Sequence, residues 1–280
     1  MRYVKKIIWF FSMYYVWKYI MKKLYKKFFV SEKILPIKIW WVKTKCKVNK
    51  ETPWITISLK LRWYIEKWTT LFFIKNMKKW DTFLDIWANI GYFSLIWSEL
   101  VWKEGFVHAF EPVEDNIKSL KKNISLNNIS NIKIEEFALW NENKTEKINI
   151  DPGNSAVNSI VVSHNNHISK KIKIKRFDDL KMDHEWINFI KIDVEWYEPE
   201  VLKWMENFLT NKSDINIVME FSPLFYKQIW IISEDFIKYI YDNGFLTYKI
   251  LSNGTLKKID LNDYLNIYQI QGSPQNFEAT

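Results

Sequence analysis

Glycine is scarce in this chain. Its 280 residues include 6 glycines but 16 tryptophans. At an average usage of about 7%, a chain this long would hold roughly twenty glycines. Glycine and tryptophan together number 22, so exchanging most tryptophans for glycine would make the composition ordinary. The single cysteine, Cys46, excludes a disulfide framework and a multi-cysteine zinc site, and it points to a reducing, cytoplasmic setting. No apolar run approaches the ~20 residues needed to span a bilayer. The longest candidate, Ile7–Trp17, has 11 residues and is followed by no small-residue cleavage site, so a secretory signal peptide is not expected. His108, His164, His167 and His184 share no metal-ligand spacing on any one element, and no metal is expected. His164 and His167 lie in a polar loop, where they read as solvated or as touching substrate.

What is present suffices for one large or two small domains, with 48% hydrophobic residues. The net charge of +9 is uneven: residues 1–30 contain eight lysines and arginines and no acid, and taking those eight away leaves about +1 for the rest. A nearly neutral body argues against a nucleic-acid partner. Residues 1–30 read as a basic amphipathic helix over 3–29. One placement puts it as a peripheral contact on the inner face of an anionic membrane. The other packs it on the domain through its aromatic face. Residues 31–80 read as an N-terminal cap. It has two or three short strands in 34–62 (IKIWWVKTKCKV, then ITISLKL), an Asn49–Pro53 turn, and a helix over Thr69–Met77.

The domain 81–280 is organised around Asp81–Pro112. This stretch reads as a buried strand (Thr82–Ile86), a tight turn (Trp87–Gly91), a helix (Tyr92–Val101) and a strand (Phe106–Phe110) ending in an acid. That is the first half of a dinucleotide- or nucleoside-binding α/β unit. Helices follow at Asp115–Leu126, Glu198–Leu209 and Ser233–Asn243. Strands follow at Ile132–Phe137, Lys147–Ile150, Lys171–Arg176, Ile187–Val194, Ile215–Glu220 and Phe245–Ile250. The expected fold class is α/β and Rossmann-like, a mostly parallel twisted sheet with helices on both faces. Asp85, Glu111 and Asp193 fall at strand ends, where such sheets open their ligand crevice.

Asp85-Ile-Trp-Ala-Asn-Ile-Gly91, followed by Tyr92-Phe93-Ser94, resembles the DxGANxGxxS loop of the FkbM family of class I S-adenosylmethionine-dependent methyltransferases. His108–Pro112 is similar to its AFEP segment, Phe137–Asn141 to ALGN, Ile190–Tyr197 to IKIDVEG, and Val218–Pro223 to IEFSP. The resemblance runs in order from about residue 62 to about residue 245. It implies that S-adenosylmethionine is the cofactor. Asp85, Trp87, Asn89, Gly91 and Tyr92 would hold its methionine end, Glu111 and Pro112 its ribose, and Glu136, Phe137 and Ala138 would border its adenine. Asp193 would accept or orient the acceptor's proton, with Glu195 second; their other reading is to cap the helix near Glu198. The implied acceptor is a hydroxyl on a glycan or small metabolite. An Asn/Asp-Pro-Pro-aromatic motif for amino methylation is absent, and Cys46 lies too far upstream to attack a base. The loop Asp151–Ser169 would shape the acceptor pocket, and nothing specifies an oligomeric state. A nicotinamide-dependent oxidoreductase and a non-catalytic membrane-surface module remain as alternatives.

The departures from the family pattern share one form. Trp80, Trp87, Trp102, Trp140, Trp196 and Trp204 stand where that pattern carries glycine. One explanation is a gene whose UGA codons mean glycine, translated here as tryptophan. The other is a degenerate, inactive member of the family.

Overall fold

A computed structural model describes residues 5–10, 32–155, 158–160, 167–182, 185–212, 214–263 and 265. In chain order the strands are β1 (Lys5–Phe10), β2 (Lys33–Ile39), β3 (Val42–Val48), β4 (Thr82–Ile86), β5 (Phe106–Phe110), β6 (Ile132–Glu135), β7 (Ala138–Leu139), β8 (Lys144–Ile150), β9 (Ile168–Lys175), β10 (Ile187–Ile192), β11 (Ile215–Glu220), β12 (Leu246–Ile250) and β13 (Leu256–Lys258). The helices are α1 (Pro53–Arg62), α2 (Lys67–Asn76), α3 (Tyr92–Val101), α4 (Glu114–Leu126), α5 (Glu198–Trp204), α6 (Glu206–Asn211), α7 (Pro223–Tyr226) and α8 (Ser233–Asp242).

An 8-stranded sheet runs β13-β12-β1-β11-β10-β4-β5-β6, parallel except at β13. Its central strands are apolar on both faces because both are covered. Phe83, Phe189 and Val218 face one core with α2, α3 and the β2–β3 hairpin. Their neighbours Leu84, Ile190 and Ile217 face the other core with α5, α6 and α8. The chain leaves β4 toward β5 and β6 on one side and returns with β10 on the other. A crevice therefore opens outside the carboxyl ends of these strands. A second sheet, β7-β9-β8, packs beside that crevice.

Two expectations are corrected. The segment ITISLKL lies in helix α1 instead of a strand. Pro53 sits in its first turn, Lys60 and Arg62 in its last, and the Trp63 N–H closes it on the Leu59 carbonyl at 3.0 Å. Ile55 through Leu59 are all buried, so no polar face reveals the helical period. The expected helix over 3–29 is contradicted at Lys5–Phe10, which is strand β1, paired in parallel with both β11 and β12. Its Ile-Ile-Trp-Phe run suits a slot with hydrogen-bonded neighbours on either side. Lys5 lies 5.5 Å from the centre of the Phe245 ring, and partial burial lowers its pKa. The remainder of that predicted helix, residues 3–4 and 11–29, lies outside the described residues. Smaller differences are strand ends at Glu135 and Ile192 and a break at the buried Met205 between α5 and α6. No helix among the described residues is long and apolar enough to cross a membrane.

Candidate active site

The turn after β4 is held from beneath. Asp85 is buried, and its Oδ2 accepts a 2.5 Å hydrogen bond from Ser94 Oγ, one turn into α3. Burial raises its pKa to about 6, against the opposing pull of Lys191 and the Ser94 bond. The N–H groups of Trp87 and Ala88 both donate to the Phe110 carbonyl at 2.9 Å. The next N–H, of Asn89, donates to Glu111 Oε2 at 2.7 Å. Gly91 has φ +90°, and a Cβ there would collide with Leu120.

Glu111 is fully buried. Its Oε1 accepts from the Val113 N–H at 2.9 Å and from Asn116 Nδ2 at 3.2 Å. Burial pushes its pKa up to about 7. With both oxygens engaged inside the protein, Glu111 fixes the turn. To reach a ribose it would have to exchange one of these donors. Pro112 is buried beside it. Tyr92 also points inward: its hydroxyl accepts from the Ile65 N–H at 2.7 Å, donates to the Ile65 carbonyl at 3.1 Å and meets Thr70 Oγ1 at 3.3 Å.

Asn89, with φ 54°, links the turn to the polar loop. Its Nδ2 donates to the Ser155 carbonyl and its Oδ1 accepts from Ser155 Oγ, both at 3.1 Å. Ser155 N–H donates in turn to the Glu51 carbonyl of the cap at 2.7 Å. Beyond β6, Glu136 is solvent-exposed and paired with Lys121 at 2.5 Å. Phe137 packs edge-on against Phe110 under the Lys175 ammonium, and Ala138 is buried in β7.

Across the crevice, β10 delivers the other acids. Lys191 is buried, with Nζ 2.5 Å from Asp193 Oδ2. Asp193 retains 29% side-chain exposure. Glu195, at φ 53°, has its pKa held well above the usual carboxylate range by burial and by the carboxylates of Asp193, Glu220 and Glu198. Glu198 caps the following loop, accepting from the N–H groups of Val194 at 3.0 Å and Trp196 at 3.2 Å. Its buried Oε2 has no partner, and its pKa is raised by burial and then by Glu220. Glu66, ahead of α2, faces the same group; burial lifts its pKa to about 7 despite Lys191, and its Oε2 is likewise unpartnered.

The structure thus brings Asp85, Asp193 and Glu195 together at one set of strand ends and sets Glu111 beneath the turn. It leaves Glu136 on the surface and turns Tyr92 into the core. Lys191, Glu198, Ser94 and Glu66 were missed. Lys191 had a signal, a lone cation inside the apolar run INFIKIDV with an acid two residues later. Glu66 had none. Of the histidines, His164 and His184 lie outside the described residues.

An acid-rich basin with one buried lysine suits a ligand bearing a sulfonium and an ammonium group. The polar groups therefore fit S-adenosylmethionine, while indoles crowd the space beside the turn. Trp140 stacks on Tyr197 with centroids 5.1 Å apart and meets Trp204 at 4.5 Å. Trp140 and Tyr197, with Trp87, Leu139, Ile160, Val194 and Val201, line a void of about 10 Å³, room for a single water at most, and no strand-end acid lines it. A larger groove of about 570 Å³, lined by Lys47, Lys121 and Lys122, contains none of the strand-end acids.

The model of the methyltransferase FkbM domain matches residues 85–247. A solved methyltransferase FkbM from Methylobacillus flagellatus KT is 17% identical, with 59% of this chain and 38% of that one covered and a TM-score of 0.40. TYW2 from M. jannaschii, in complex with AdoMet, is 13% identical with coverage of 80% and 77% and a TM-score of 0.39. A putative O-methyltransferase from Klebsiella pneumoniae is 10% identical with coverage of 52% and 51% and a TM-score of 0.33. The chain spans less than half the length of the M. flagellatus protein. No curated protein matches the sequence.

Proposed function

Because the chain belongs to the FkbM methyltransferase family, whose cofactor is S-adenosylmethionine, we propose that it methylates a hydroxyl oxygen of a glycan or small metabolite, with Asp193 as proton acceptor. The observation that carries this reading is the Lys191–Asp193 contact. Lys191 Nζ holds Oδ2 at 2.5 Å, and the partly exposed side chain can turn its other oxygen to an incoming hydroxyl. Glu195 keeps its proton to higher pH than an exposed glutamate, which suits a donor to the acceptor or its neighbours. The cofactor, when bound, supplies a methyl group on a sulfonium, already a good leaving group, so the protein's task is orientation. Asp85 and Glu111 serve it indirectly by fixing the turn, Asp85 through Ser94 and Glu111 through Asn89. The loop from Asp151 to Ser155, tied to that turn by Asn89, would form one wall for the acceptor. Family membership displaces the nicotinamide alternative, whose only support was the shared βαβ unit.

The test is release of S-adenosylhomocysteine over a panel of hydroxylated glycans and metabolites, using protein with glycine at positions 87, 140, 196 and 204. Asp193→Asn should lower turnover by roughly 10²- to 10⁴-fold while leaving cofactor binding intact. Undiminished turnover in that variant would remove Asp193 from the mechanism.

A further inference from the structure

The backbone carries a record of its own about the tryptophans. Among the described residues, ten non-glycine residues adopt positive φ, and six of them are Trp40 (52°), Trp63 (65°), Trp87 (75°), Trp102 (56°), Trp196 (78°) and Trp230 (63°). In this region a Cβ crowds the backbone, so glycine is the default and a bulky side chain an outlier. The sites are also where chains place glycine for local reasons. Trp40 is the first residue of the two-residue loop joining β2 to β3, the place glycine takes in a type II′ hairpin. Trp63 and Trp102 terminate α1 and α3. Trp87 opens the turn after β4, and Trp196 lies in the loop after β10.

Packing does not account for the four exposed ones, whereas Trp196 is buried in the core and Trp87 packs against it. Trp230 is 93% exposed, Trp63 55% and Trp102 54%, so these indoles gain little burial to offset the strain. Where indoles are inside, they obstruct. Trp87 and Trp140, with Tyr197, line a void of about 10 Å³ between the turn, the second sheet and α5, and Trp204 packs against Trp140 and Tyr197. No acid lines that void; it lies beside the turn after β4 and reaches Val194, next in the chain to Asp193.

We infer that the functional protein carries glycine at the six positive-φ tryptophans and at Trp140 and Trp204, and that the space closed by the inner indoles is the cleft for cofactor and acceptor. The cleft half of this rests on the methyltransferase reading; the glycine half does not. A UGA codon read as glycine in the native host supplies the substitution at every site by one mechanism.

Three measurements separate the outcomes. First, the gene should carry UGA at these positions; UGG at position 87 overturns the inference. Second, Trp63→Gly, Trp102→Gly and Trp230→Gly should each raise the melting temperature by about 2–5 °C and exceed the matching alanine variants, because alanine keeps the strained Cβ. Alanine equal to or above glycine overturns it, whatever the enzyme does. Third, the variant W87G/W140G/W196G/W204G and the chain as written are titrated calorimetrically with S-adenosylhomocysteine and S-adenosylmethionine. The glycine variant should bind at least tenfold more tightly. Tighter binding by the chain as written would make the indoles an aromatic cage for the sulfonium and overturn the cleft assignment. Glycine-favoured melting with no binding of either compound would overturn the cleft and the methyltransferase reading together, and leave the glycine identities standing.

Discussion

Lys191 and Asp85 stand opposite one another as register partners on adjacent parallel strands, and the lysine's ammonium ends 2.5 Å from Asp193 Oδ2. One buried cation thus sits between the acid beneath the turn and the acid proposed to face the acceptor. Its pKa is driven up by Asp193, Glu66 and Asp85 against the cost of burial. Removing one partner of a buried pair strands the other, at about 3–5 kcal/mol. Lys191→Met should therefore lower urea-unfolding stability by that amount, and Lys191→Arg should recover part of it. A loss under about 1 kcal/mol in the methionine variant would mean that water already shields these acids.

Glu111 makes stability depend on pH with a definite sign. Its folded pKa is raised from 4.5 to about 7 by burial. Between those values the native state holds a proton that the unfolded chain has released. The contribution is fully present below about pH 4.5 and is lost as pH rises through about 7. Its size is on the order of 3 kcal/mol. Glu111→Gln mimics the protonated acid and cannot titrate. The stability of the parent minus that of the variant, from denaturation series, should fall by on the order of 3 kcal/mol between about pH 4 and about pH 8. A flat difference would show that the three internal donors hold Glu111 ionised throughout.

The central unit was legible to the residue: Thr82–Ile86, Tyr92–Val101 and Phe106–Phe110 coincide with β4, α3 and β5. Each is a strongly apolar run bounded by turn residues, so local chemistry sufficed. Helix α1 was not, because burial of every residue from Ile55 to Leu59 erases the polar face that marks a helix. Strand β1 was not, because its partners, Ile215–Glu220 and Leu246–Lys249, lie some two hundred residues away. In the site, acids at strand ends follow from topology alone. The meeting of Lys191 with Asp85 needs the register between β10 and β4, and the inward turn of Tyr92 needs Ile65 and Thr70 from the cap. No local pattern contains either fact.

Asn89 has two duties that two substitutions can separate. It holds φ 54°, and its amide clamps Ser155 through two 3.1 Å hydrogen bonds. Asn89→Gly keeps the conformation and loses the clamp, at roughly 0.5–1.5 kcal/mol per bond. Asn89→Ala loses the clamp and adds a strained Cβ, a further ~1–2 kcal/mol. The alanine variant should melt below the glycine variant, while hydrogen exchange at the Ser155 amide accelerates equally in both. Equal melting would show that the turn relaxes to negative φ when the clamp is gone.

Trp97 offers a test inside the core, away from the cleft. It is fully buried in α3, its Nε1 has no hydrogen-bond partner, and its ring centroid lies 3.2 Å from that of Phe83. Aromatic pairs ordinarily sit about 4.5–7 Å apart, so this stack is crowded. Truncating a well-packed tryptophan to alanine costs about 3–5 kcal/mol. Here the same change removes an unsatisfied buried donor, worth roughly 1–3 kcal/mol, and relieves overpacking of similar size. The two gains offset most of the loss, so Trp97→Ala should cost no more than about 2 kcal/mol in chemical denaturation, whereas Phe83→Ala should show the usual penalty of about 3–5 kcal/mol. Trp97→Gly should fall about 1 kcal/mol below the alanine variant, since position 97 is helical and gains nothing from glycine's freedom. A cost for Trp97→Ala as large as for Phe83→Ala would mean that the indole is a properly seated core residue, and that not every tryptophan in this chain stands in for something smaller.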